Sequence, residues 1–150
     1  MCDEMHNSEV SAELDAVACD CIGECLDALA EGVSFGVLVC CEDREGNRSF
    51  FNIEEDSEEV SLEEANVLVK RAISRGIAED GLGKVRRYAI SYLGVVADED
   101  GSYMDALLTV FAEKNMQVAY STYTLVGNIG AGENFVWNEP QPAGEEPILF

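Results

Sequence analysis

Residues 86–126 read RRYAISYLGVVADEDGSYMDALLTVFAEKNMQVAYSTYTLV, and this stretch decides the fold. It divides into three runs rich in β-branched and aromatic residues, at 86–97, 103–112 and 116–126. Asp98-Glu99-Asp100-Gly101 joins the first two, and Lys114-Asn115 joins the last two. Connections that short allow only antiparallel neighbours. The two faces alternate poorly. One side of 86–97 carries Tyr88, Ile90 and Tyr92, while the other carries Ala89, Leu93 and Val95. Val118, Tyr120 and Val126 likewise oppose Ala119, Tyr123 and Leu125. A sheet covered on one side alternates more cleanly. With helices expected on one face, the second face calls for a cover, either the tail, a second copy or another protein.

Upstream, residues 11–31 form an amphipathic helix with Ser8 or Ser11 as its N-cap and Gly32 just past its end. At 100° per residue, Leu14, Ala18, Cys21, Ile22, Cys25 and Leu29 share one face. Glu13, Asp20, Glu24, Asp27 and Glu31 form an acidic stripe on the other, about 27 Å long. Residues 33–41 and 49–53 read as a hairpin, and Glu54, Glu55, Asp56, Glu58 and Glu59 as a solvated acidic loop. Ser61 and Glu64 make a capping box for a second helix, which Gly76 ends. The expected order is αββαβββ: an α+β domain over 1–132 with two helices on an antiparallel sheet of about five strands. All three prolines fall within 133–150, which reads as an extended, loosely held tail.

Charge is the strongest signal in the composition. The 150 residues hold 30 Asp+Glu against 9 Lys+Arg, for a formal net charge of -21. It is segregated: only 65–97, with Lys70, Arg71, Arg75, Lys84, Arg86 and Arg87 against Glu79 and Asp80, is net basic. Solubility of a small domain needs a magnitude of only about 2–8. Direct nucleic-acid binding is excluded, because phosphate contacts need a basic surface. No apolar run reaches the ~20 residues of a membrane span, and no segment reads as a secretory signal. A reducing cytoplasm is the expected location.

Catalytic and metal signatures are weak. Cys19, Cys21, Cys25, Cys40 and Cys41 lack the C-x₂-C pairs of structural zinc sites and read as core thiols. Asp98-x-Asp100-Gly101 has too few oxygen ligands for a calcium loop. The glycines of 127–132 precede no helix, so they make a turn rather than a phosphate loop. His6 is the sole histidine and stands near the start, which leaves a Cys–His nucleophilic pair without support. No cofactor, metal or catalytic residue is expected.

The acidic stripe and loop lead to a functional expectation: a non-catalytic binding protein that occupies a basic, nucleic-acid-binding surface of a partner protein. Carboxylates on successive helix turns, about 5.4 Å apart, approach the interval between phosphates on a strand. In composition alone the chain is similar to the small acidic inhibitors that phages and mobile elements use against restriction and CRISPR systems. The alternative is a small intracellular bacterial protein of ordinary type. It would form a homodimer, or bind a small ligand, through the second sheet face.

Overall fold

The structure, a computed structural model, describes residues 10–150. Helix α1 (Ala12–Glu31) begins where Ser11 accepts a hydrogen bond from the Leu14 N–H at 3.0 Å. It ends at Gly32, whose φ of 74° is open to glycine at little cost. Ser8 and His6 lie outside the described residues. Strands β1 (Val37–Asp43) and β2 (Arg48–Ile53) form the expected hairpin, with β1 starting later than residue 33. Helix α2 (Glu58–Arg75) is followed by the central strands β3 (Val85–Ala97) and β4 (Tyr103–Glu113). Strand β5 (Ala119–Gly127) starts three residues later than read. Two short strands complete the chain, β6 (Val136–Trp137) and β7 (Gln141–Glu146).

The class is α+β, but the sheet has seven strands rather than about five. Its order is β2-β1-β3-β4-β5-β6, with β7 also paired to β5, and all pairings are antiparallel. The extra strands come from the residues read as a loose tail. Strand β7 runs along Ala119–Tyr123 of β5, and β6 pairs with Val126 and Gly127. Pro142 sits at the register shift between Ser121 and Thr122, an irregularity on an edge strand where a missing N–H is tolerated.

The helices lie on opposite faces, which corrects the reading that both cover one. Leu14, Val17, Ala18 and Cys21 of α1 pack with Cys40, Ala89 and Phe111. Ala65, Val69 and Ala72 of α2 pack with Val39, Cys41, Tyr88, Ile90 and Ala112. Successive residues of a strand point to opposite faces, so Cys40 and Cys41 belong to different layers. Both faces are apolar because both are covered. The α2 face is closed further by Ile148, Leu149 and Phe150. The Phe150 ring lies 5.7 Å from that of Tyr88, whose hydroxyl accepts the Leu149 N–H at 3.2 Å. Burial pushes the Tyr88 phenol up to about 12.

Candidate functional site

Register across four strands builds a ladder of alternating charge on the α1 face. Arg48 of β2 stands opposite Glu42 of β1, Glu42 opposite Arg87 of β3, and Arg87 opposite Glu113 of β4. Arg48 Nη2 is 2.6 Å from Glu42 Oε2, and Arg87 Nη1 is 3.1 Å from Glu42 Oε1. Arg87 Nε is 3.0 Å from Glu113 Oε2, while the Ser11 hydroxyl donates to Glu113 Oε1 at 2.8 Å. Asp20 pairs with Arg48 at the other end. Asp20 stays exposed on α1 while it makes this pair.

The remaining predicted residues are exposed, and the fold sorts them by end. Glu13 and Glu24 lie along α1. Asp27 and Glu31 are at its C-terminal end, which is tied to the 128–134 turn by the Gly130 N–H on Leu29 O at 2.8 Å. Glu54, Glu55 and Asp56 follow β2 at the same end of the sheet, since Ile53 pairs with Val37. Glu54 takes hydrogen bonds from Ser34 and Asn52. Glu58 and Glu59 are not in a loop. Ser57, not Ser61, caps α2, with the Val60 N–H on its hydroxyl at 3.2 Å. Ser61 instead accepts the Glu55 N–H at 2.8 Å. The two glutamates therefore occupy the first turn of α2, where the helix dipole favours anions.

Sequence reasoning missed the other half of this end. Asp98, Glu99 and Asp100 form the β3–β4 tip, with Asp105 beside them and Glu133 in the turn against α1. The Asp100 carboxyl is held below its ordinary range by hydrogen bonding from Ser102, whose N–H lies 3.0 Å away. Twelve acids from six segments thus lie toward this end of the sheet: Asp27, Glu31, Glu54, Glu55, Asp56, Glu58, Glu59, Asp98, Glu99, Asp100, Asp105 and Glu133. All nine Lys and Arg fall elsewhere: in the 44–48 turn, the C-terminal half of α2, the start of β3 and the β4–β5 turn.

This end also exposes apolar residues. Strand β1 pairs with β3 only as far as Tyr92, and β5 with β4 only as far as Ala106. Beyond them β3 and β4 project as a two-stranded arm. Tyr103 is 75% exposed and Val95 58%. Both lie on the α1 face, because Val95 pairs with Asp105 and Tyr103 with Ala97 in unbroken register from buried Leu107.

Among the described residues, no group of three or more His, Cys, Asp or Glu is placed to hold a metal ion. Cys21, Cys25, Cys40 and Cys41 are buried free thiols. A hydrogen bond with Cys25 and then burial raise the Cys21 thiol, burial raises Cys40, and burial pushes Cys41 up to about 12. Thiols so raised supply no thiolate at neutral pH. Cys19 departs from the expectation of reduced thiols: it is disulfide-bonded. No described helix is long and apolar enough to cross a membrane.

Comparison with known proteins gives no match among family models, curated proteins or solved structures.

Proposed function

We propose that this chain is a non-catalytic binding protein whose acidic end occupies a basic surface of a partner protein, one shaped to hold nucleic acid. The supporting observation is the segregation itself: twelve acids and no Lys or Arg at one end of the molecule. Self-repulsion there costs stability, and a solubilising surface would intersperse both signs. A basic partner would relieve that repulsion and gain charge complementarity, with Tyr103 and Val95 as the apolar anchor. This reading centres the surface on the C-terminal end of α1 and the β3–β4 arm rather than on the α1 stripe. It would act as a nucleic-acid mimic or inhibitor.

The test compares capture from a nuclease-treated lysate by the wild-type chain and by a variant reversed at Asp27, Glu31, Asp98 and Asp100 (each to Lys). A basic protein retained by the wild type, lost by the folded variant and displaced by added nucleic acid supports the reading. Equal capture by both chains contradicts it.

A second reading draws on one observation. A groove of about 250 Å³ on the α2 face lies between Leu62 and Asn66 of α2, Tyr92 of β3 and Leu149 of the C-terminal segment. It would admit a small apolar ligand. Helix α2 and the C-terminal segment cover part of the sheet face expected to carry the homodimer.

A further inference from the structure

At the opposite end of the sheet the charge reverses. The β1–β2 turn, the start of β3 and the β4–β5 turn enclose a cleft of about 350 Å³, lined by Arg44, Lys84, Arg86 and Lys114. Such a volume is within the range of small-ligand sites, about 300–1,000 Å³. None of these four cations makes an ion pair among the described residues, although the chain carries 30 carboxylates. Lys70, Arg71 and Arg75 of α2 are likewise without an ion pair among the described residues, so what sets these four apart is that they line one hollow together.

The acids lining the cleft do not cancel them. Asp43 spends its carboxylate inside the structure, on the N–H groups of Glu45 and Asn47 at 2.9 Å, that of Gly83 at 2.8 Å, and the Asn47 side chain at 3.0 Å. Those bonds pin the 44–47 turn to the 81–84 turn and fix the spacing of Arg44 and Lys84. The Lys114 N–H on Arg86 O at 2.8 Å does the same for the other pair. Glu45 is the remaining anion, exposed on the turn. Nor does the acidic end reach this far. Twelve residue steps along the strand separate Arg86 from Asp98, about 40 Å at about 3.3 Å each. Charges separated by more than the ~8 Å screening length of physiological salt scarcely interact.

The geometry points to a binding site for a small, multiply charged anion of the phosphate class, held by Arg44, Lys84, Arg86 and Lys114. The site is independent of the acidic end and of the function proposed for it.

Inorganic pyrophosphate is the probe, titrated into the full chain by calorimetry at about 150 mM salt. Saturable one-to-one binding is expected. Lys84→Gln with Lys114→Gln should weaken it at least about tenfold, whereas Lys70→Gln with Arg71→Gln on α2 should leave it unchanged. Should the first variant not fold, amide chemical shifts of the wild-type chain decide the matter: pyrophosphate should move residues 44–47, 83–86 and 114. Absence of saturable heat, equal binding by both variants, or shifts scattered over the surface would overturn the site. So would a single-stranded oligonucleotide that outcompetes pyrophosphate, since the surface would then be one for nucleic acid.

Discussion

At Asp43 one buried carboxylate takes four hydrogen bonds and joins two turns distant in sequence. Burial by itself would raise its pKa, but the hydrogen bonds from Gly83, Asn47 and Glu45 outweigh it and hold the group below its ordinary 3.8. A depressed folded-state pKa contributes stability above the unfolded value, and that contribution is lost as pH falls through the folded one. Asp43→Ala should therefore cost about 2–3 kcal/mol near pH 7, because three backbone N–H groups lose a partner. Urea unfolding of both chains near pH 7 and near pH 3 should show that difference shrinking in acid. Arg87 is the second such residue. Among the described residues it alone bridges Glu42 and Glu113, and Glu42 is only 6% exposed. Arg87→Met should destabilise by about 3 kcal/mol, since Glu42 and Glu113, on either side of β3, each lose a charged partner. A cost under about 0.5 kcal/mol in the same unfolding assay would mean solvent screens the ladder. Neither role was legible in the chain. Asp43 and Arg87 are two charges among many, and only strand register reveals what each stands beside.

Among the elements, those with paired local signals were readable. Helix α1 has a capping serine, one apolar face and a terminal glycine, and its bounds came out within a residue. Strands β3 and β4 were legible from β-branched and aromatic runs flanking an acidic turn with glycine. Helix α2 was read one turn late, because Ser57 and Ser61 both precede helical sequence and Ser61-x-x-Glu64 has the better capping box. Strand β7 was hidden by Pro140 and Pro142, and its six exposed residues carry no apolar alternation. What holds it is backbone pairing to β5, which sequence does not display. The helix positions on opposite faces were implicit in the poor alternation of β3 and β5, but that pattern does not say what supplies the cover. The C-terminal segment supplies part of it. Phe150→Ala should cost about 1–2 kcal/mol, since the ring is half-buried against Tyr88. Denaturant unfolding checks this, and a neutral result would show that α2 alone closes that face.

For the whole molecule, the fold turns a scattered excess of charge into two poles. The sequence shows a basic zone at 65–97 between acidic ones, yet chain order does not foretell the ends. Asp98–Asp100 and Glu54–Asp56 are over forty residues apart in sequence but share one end, through the antiparallel register of β1 with β2 and β3. The apolar arm was illegible for the same reason: Val95 and Tyr103 read as ordinary strand residues until β1 and β5 are seen to stop short of them. Self-repulsion at the acidic pole should make the free chain more stable as salt rises from about 20 to 150 mM, visible as a higher melting temperature. Binding should respond in the opposite sense, since salt screens attraction to a basic partner. The deciding measurement is a binding titration of the captured partner at about 50 and about 200 mM salt, for the wild type and the variant reversed at Asp27, Glu31, Asp98 and Asp100. Wild-type affinity should fall steeply between the two salts, and the variant, folded by circular dichroism, should bind well over tenfold more weakly at the lower one. A folded variant that binds as tightly as the wild type, with no dependence on salt, would contradict the account.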